Sequence, residues 1–259
     1  MKIYVLTDNH ASKNFSAEWG LSLLIKHDCK NILFDFGNSK LFLENAKKLG
    51  IDLSLVDYYI LSHGHWDHGD GLAYLKEKKK LICHPNAFIK RYRKTGGYIG
   101  LSFNIEEAKE KFELCLTRKP YMISDKIIFL GKIPRNTEFE SQKTNFVKED
   151  GSEDFVIDDS ALAIKSEKGL IVISGCAHAG ICNTIEYARK VSKVDKVYAV
   201  LGGFHLKGND DLTLKTIKYL KKLNIDILRP SHCTQFPALA EFYNNFNSKP
   251  LLAGAEINI

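Results

Sequence analysis

Short apolar runs alternate along the chain with segments of helical period. Ile3–Leu6, Leu21–Ile25 and Ile32–Phe36 predict three strands, the last two joined by a turn at Asp28–Asn31. Lys40–Leu49 has helical spacing and is stopped by Gly50. Val56–Leu61 is a β-rich run that ends at Ser62. Helical character resumes over Gly69–Glu77, and Leu81–Cys83 is a short strand before Pro85. A mixed helical stretch surrounds Ile105–Phe112, and Ile127–Leu130 and Ala161–Ile164 predict strands. Between those two, Glu138–Asp154 is polar, acid-rich and without clear period. A connection that long marks either a functional lid or insertion, or plain surface chain.

The C-terminal part repeats one theme three times. Leu170–Ile173, Val197–Leu201 and Ile225–Leu228 each predict a strand. Each strand runs into a turn that carries a histidine: Gly-Cys-Ala-His178-Ala-Gly, then Gly-Gly-Phe-His205, then Pro-Ser-His232-Cys-Thr. Each turn leads to a helix, over Ile181–Lys190, Leu212–Leu223 and Pro237–Phe246. The carboxyl ends of strands in α/β sheets are where sites form. The theme has no fixed period, which excludes a solenoid, and no Pro/Ser-rich linker divides the chain.

Composition changes this picture little. The 259 residues are 44% hydrophobic and 26% charged, an ordinary globular balance, and no apolar run approaches the ~20 residues a membrane helix needs. The N-terminal residues lack a signal-peptide pattern and the six cysteines are scattered without a CxxC pair, so the reading is a cytoplasmic protein with reduced thiols. The net charge is +6, with lysine-rich spots at Lys76–Lys80 and Lys90–Lys94. These are solvated surface or an attraction for an anionic small-molecule substrate. No aromatic-basic motif supports nucleic acid, nothing supports a membrane partner, and a homo-oligomer stays open.

The chemistry concentrates in Ser62-His63-Gly64-His65-Trp66-Asp67-His68-Gly69, directly after a strand. Imidazole nitrogens with a carboxylate oxygen suit zinc, and also iron or manganese. His63/His65 and Asp67/His68 form two pairs able to face two ions about 3.5–4 Å apart. Four ligand-type residues in six positions have no packing rationale.

This loop, His63-Gly-His65-Trp-Asp67-His68-Gly-Asp-Gly, resembles the signature of the metallo-β-lactamase superfamily. Ile32-Leu-Phe-Asp35-Phe-Gly37 resembles its earlier strand-ending aspartate motif. Asp8-Asn9, Glu18-Trp-Gly-Leu-Ser22, Ser174-Gly-Cys-Ala-His178-Ala-Gly180, Leu201-Gly-Gly-Phe-His205-Leu206 and Pro230-Ser-His232-Cys-Thr234 extend the likeness. They are similar to a subgroup of metal-dependent hydrolases that includes dihydropterin–ribofuranosylaminobenzene-phosphate synthases. The resemblance spans about residues 3 to 259. It implies a four-layer αββα sandwich of two mixed sheets flanked by helices, in one domain over 1–259, with a lid or insertion around 86–155.

The same resemblance implies two divalent ions, zinc foremost. His63 and His65 with a third histidine would hold one, and Asp67 and His68 with another histidine the second, His178 and His232 being the choices for those two places. Asp35 would orient a ligand histidine through its second N–H. The turn that in many members supplies a bridging aspartate reads Ser174-Gly175-Cys176-Ala177-His178 here. Asp158 or Asp159 could supply that oxygen, with Cys176 the softer alternative. Asp67 and His205 are the candidate catalytic groups, while Asp8, Asn9 and Glu18 either line the pocket or serve as turn and cap residues. His10, His27 and His84 fall outside the motifs and are expected in solvent.

A water bound to such ions loses its proton near neutral pH, at a pKa of ~7, and the hydroxide attacks a carbonyl or phosphoryl centre. The leading expectation is therefore hydrolysis of an ester, thioester, lactone or phosphate ester. The resemblance implies an alternative, a transferase that condenses a dihydropterin with an arylamine ribofuranosyl phosphate. There the basic spots and the acid-rich segment could act as anion clamp and lid. A third reading is a metal-binding sensor without catalysis.

Overall fold

A computed structural model describes all 259 residues. By internal contacts the chain divides into two compact units. The first comprises residues 1–118, 145–154 and 252–259, and the second comprises residues 119–144 and 155–251.

The first unit is built on β1 (Lys2–Thr7), β2 (Ser22–His27), β3 (Lys30–Phe34), β4 (Tyr58–Ile60), β5 (Lys80–Cys83), β7 (Glu113–Leu116) and β15 (Glu256–Asn258). They form one mixed sheet in the order β15-β1-β2-β3-β4-β5-β7. The β2–β3 hairpin turns at Asp28 and Cys29, both left-handed, as the turn at Asp28–Asn31 predicts. From β3 to β7 the pairing is parallel. Helix α1 (Leu41–Lys48) buries Phe42 and Ala46 in a core with Leu24, Leu33, Tyr59, Leu61 and Leu81. α2 (Trp66–Gly69) is a single turn, and a 3-10 turn over Asp70–Tyr74 follows it where one helix was expected. α3 (Ile105–Lys111) starts at a capping box: the Asn104 side chain accepts from the Glu106 and Glu107 N–H, and the Glu107 carboxylate accepts from the Asn104 N–H.

β6 (Arg91–Arg93) pairs with β10 (Phe146–Lys148), so the polar stretch 138–154 holds a strand that its sequence did not announce. Lys90 pairs with Glu149 and Lys94 with Glu153 at the surface, which spends part of the expected basic spot on the acid-rich segment. Arg91 is fully buried beside Asp154, its Nε 3.4 Å from the carboxylate.

The second unit holds β8 (Tyr121–Met122), β9 (Ile127–Phe129), β11 (Ala161–Ser166), β12 (Gly169–Ser174), β13 (Val197–Gly203) and β14 (Ile227–Ser231), in the order β14-β13-β12-β11-β9-β8. β12, β13 and β14 run parallel and the others antiparallel. β12 is buried along its whole length, as a continuous apolar run in a covered parallel strand should be. β14 starts two residues later than its apolar run suggests and takes in Pro230. That proline is tolerated because β14 is an edge strand that need not donate outward. Helices α4 (Ile181–Ser192), α5 (Asp211–Lys221) and α6 (Phe236–Phe246) bury Ile185, Ala188, Ile217, Leu220 and Phe242 in one core with Leu170, Val172 and Val200. Both units are thus mixed sheets with helices, the fold class the sequence predicts.

Candidate metal centre

In each unit the chemistry-bearing residues follow the carboxyl ends of parallel strands. Asp35 comes directly after β3, and Ser62 to His68 follow β4. His63 and His68 are fully buried, and His65 and Asp67 nearly so. Burying so many polar rings is costly unless each nitrogen has a purpose.

Asp35 sets the geometry of this group. Its own backbone is left-handed, at φ 56°, a conformation that costs energy in a non-glycine residue. The Ser62 N–H donates to Asp35 Oδ1 at 2.7 Å, and the Ser62 hydroxyl donates to Oδ2 at 2.7 Å. His68 Nδ1–H donates to the same Oδ2 at 2.6 Å. The Ser62 proton being spent there, His63 Nδ1–H donates to Ser62 Oγ at 2.9 Å. Both imidazoles are therefore fixed in the tautomer that leaves Nε2 with its lone pair. This is how a carboxylate prepares a histidine to bind a metal.

His63 Nε2 lies 3.0 Å from His65 Nδ1. Two nitrogens bound tetrahedrally to zinc stand roughly 3.3–3.4 Å apart, so the pair already has nearly the spacing of co-ligands. The His63 ring also lies 4.2 Å from that of His68, and Phe146 of β10 packs its ring 5.1 Å from that of His65. Between the two histidines Gly64 is required. A Cβ there would run into the Ala87 carbonyl oxygen. The α2 turn then carries Asp67 and His68, and the Asp67 carbonyl accepts the Leu21 N–H at 3.2 Å.

The second unit gathers its own donors past β12, β13 and β14. Cys176, His178 and His205 each present a ligand atom within 4.8 Å of the others, and so do Cys176, His232 and Cys233. The rings of His178 and His205 lie 4.3 Å apart. Ala177, His205 and His232 all have positive φ, at 55°, 52° and 52°. Three strand ends in one sheet thus store the same backbone strain, a pattern found at functional sites. Burial pushes the Cys233 thiol up. The Cys176 side chain and the neighbouring His205 and His232 outweigh it, so the thiol sits well below its ordinary value.

Asp159 is buried, and its Oδ2 accepts the Ala179 N–H at 2.9 Å while Oδ1 has no hydrogen-bond partner. Burial pushes this carboxyl up to about 7, against the Ala179 N–H and the nearby Arg135. The sulfur and imidazole donors clustered at the ends of β12, β13 and β14 suit a divalent ion of borderline character.

The other sequence candidates have local partners. Asp8 is buried and accepts the His10 N–H, Asn9 accepts the Gly20 N–H at 3.1 Å, and Glu18 bonds the Asn38 N–H and the Ser39 hydroxyl. All three staple the loop over residues 8–20. His84, expected in solvent, is buried: it caps the 3-10 turn over Pro85–Phe88, its Nδ1 accepting the Asn86 N–H. Sequence reading gave no role to Ser62, Cys233 or Glu140. Cys233 adjoins the ligand-type His232, a signal that could have found it, whereas a serine before a histidine is too common to mark Ser62. Glu140 had no such signal. It lies in the acid-rich segment, yet it is buried and accepts the Cys182 and Asn183 N–H at the start of α4, both at 2.8 Å.

A family model for the metallo-β-lactamase superfamily matches residues 20–232. The chain belongs to the metallo-β-lactamase superfamily. Within it, the chain is 39% identical over 254 residues to an uncharacterised protein of Methanocaldococcus jannaschii, covering 94% of this chain and 95% of that one. It is 36% identical over 274 residues to the 7,8-dihydropterin-6-methyl-4-(beta-D-ribofuranosyl)-aminobenzene-5'-phosphate synthase of the same organism, covering 95% of this chain and 92% of the synthase. Among solved structures, Tm1679, a metal-dependent hydrolase of the β-lactamase superfamily, matches with a TM-score of 0.88 and 31% identity over 100% of this chain and 99% of its own. The zinc-bound PqqB of Methylobacterium extorquens shares the fold at a TM-score of 0.57 and 10% identity, with both chains covered in full. This metallo-β-lactamase fold accounts for two mixed sheets that each carry polar donors at their parallel strand ends.

Proposed function

We propose that this protein is a metal-dependent hydrolase acting on a small ester, thioester, lactone or phosphate ester. The observation that carries the reading is the pair of imidazole nitrogens, His63 Nε2 and His65 Nδ1, 3.0 Å apart, with His63 held from behind by Ser62 and Asp35. In this reading His63, His65 and His178 hold one divalent ion, and Asp67, His68 and His232 hold a second, zinc foremost with iron or manganese as substitutes. Bound there, such ions activate water and polarise the oxygen of the electrophile. The chain's own groups do the rest. Asp35 keeps Nε2 of His68 available and, through Ser62, that of His63. Asp67 steers the attacking water and can take up its proton. His205, in its strained turn beside His178, hydrogen-bonds the substrate or the leaving group. The whole chain, residues 1–259, acts as one functional domain with an insertion around 86–155.

A second reading is supported by the 36% identity to the dihydropterin synthase across nearly the whole length of both chains. In it the same donors assist departure of a phosphate or pyrophosphate group, and an arylamine accepts the pterin methyl carbon in place of water.

The test is elemental analysis of purified protein followed by a panel of chromogenic phosphate and carboxylate esters. The reading expects about two metal equivalents per chain. It also expects His65→Ala to abolish turnover while circular dichroism stays native. Absence of metal after reconstitution, or unchanged turnover in His65→Ala, contradicts it. Supplying an arylamine and following the acceptor by mass spectrometry separates transfer from hydrolysis.

A further inference from the structure

The strand ends of the second unit carry a donor type that the proposed ligand set leaves unused. Cys176 stands two residues past β12 and Cys233 two residues past β14, and those strands are not neighbours. β13 lies between them, so their ladders are roughly 9–10 Å apart. The end of β13 is cleared so that their side chains can meet across it. Gly203 is its last residue, and a Cβ there would stand 2.6 Å from Cys233 Sγ and 3.1 Å from Cys176 Cα. Across this gap the two sulfurs and a ring nitrogen of His232 all lie within 4.8 Å of one another.

We infer that Cys176, Cys233 and His232 form a thiolate-bearing triad that binds a thiophilic divalent ion such as zinc. Sulfur and nitrogen ligands of tetrahedral zinc stand roughly 3.3–3.8 Å apart, so side-chain adjustment alone closes the triad. Two sulfurs and one imidazole supply three of the four ligands of a tetrahedral site and leave the fourth position for a carboxylate or imidazole donor.

Cys233 is already aimed. Its Sγ accepts the His205 N–H at 3.3 Å and its S–H donates to the Cys176 carbonyl at 3.4 Å. On binding, each S–H bond breaks, a sulfur–metal bond forms and the proton passes to solvent buffer. Cys176 and His232 are buried, which suits an ion held dry. The inference names the sulfur character of the ion that His232 holds, and it rests on the proposed reading only through that residue.

Cobalt(II) titration of the full chain tests it, because thiolate ligands give cobalt an intense near-ultraviolet charge-transfer band that imidazole and carboxylate do not. The band is expected on the wild type, weakened in Cys176→Ser and in Cys233→Ser, and absent from the double variant. Alkylation by iodoacetamide, mapped by peptide mass spectrometry, serves if those variants do not fold. Zinc should slow modification of Cys176 and Cys233 severalfold and leave the exposed Cys29 unchanged. Cobalt binding without the band, with equal alkylation in the presence and absence of zinc, overturns the triad and leaves the imidazole–carboxylate reading standing. Failure to bind any metal overturns both.

Discussion

Asp35 is the residue on which the first group of donors turns. One carboxylate orients His68 directly and His63 through Ser62. Asp35→Asn keeps the shape but puts an amide where three donors converge. We expect its zinc affinity to fall ~10–100-fold in a chelator competition assay, with an unchanged far-ultraviolet spectrum. An unchanged affinity would remove Asp35 from the account. Gly64 makes the complementary point about space. Gly64→Ala forces a methyl group against the Ala87 carbonyl and should cost about 1–3 kcal/mol in urea unfolding, with metal affinity lost as His63 and His65 are displaced. The residues of this group were legible because histidine and aspartate at such density have no packing use. Ser62 was not, because a serine before a histidine is commonplace. Only the folded geometry makes it the relay between Asp35 and His63.

At the scale of elements, the sequence displayed the strands that are apolar throughout and hid those that are not. β12 is buried on both faces and reads as an unbroken apolar run, whereas β10 is half-buried with a polar residue at its end and has no such signature. Glu140 shows the same limit: an acid in a polar stretch reads as surface, yet it serves as a remote cap for α4, whose N-cap position, Gly180, offers no side chain. Glu140→Ala leaves two buried N–H groups without an acceptor and should lower stability by about 1–3 kcal/mol. The pH dependence is a further check. Burial holds the Glu140 carboxyl above its ordinary value, against the N–H bonds from Cys182 and Asn183. The folded state therefore binds its proton more tightly than the unfolded chain. That contribution is fully present below the ordinary glutamate range and is lost as pH rises through the raised value. Glu140→Gln lacks this loss, so its stability relative to wild type should improve across that window in denaturant titrations. A pH-independent difference would contradict the assignment.

For the whole molecule, the family follows from one short loop and a succession of strand-end motifs, and the match over residues 20–232 agrees with it. The substrate was not legible at this scale, because one fold serves many reactions and surface lysines expected to attract an anion are partly paired with Glu149 and Glu153. No helix is long and apolar enough to cross a membrane. If buried imidazoles and carboxylates are held together by bound ions, their removal must cost stability. At a hundredfold excess of free metal over its dissociation constant each ion contributes ~2.7 kcal/mol, so stripping even one with a chelator should lower the thermal midpoint by roughly 5–10 °C, reversibly on adding zinc. The most direct measurement is anomalous diffraction at the zinc edge from metal-loaded crystals. The account predicts two peaks, one ligated by His63, His65 and His178 and the other by Asp67, His68 and His232. Peaks that leave His63 and His68 without a metal would contradict it.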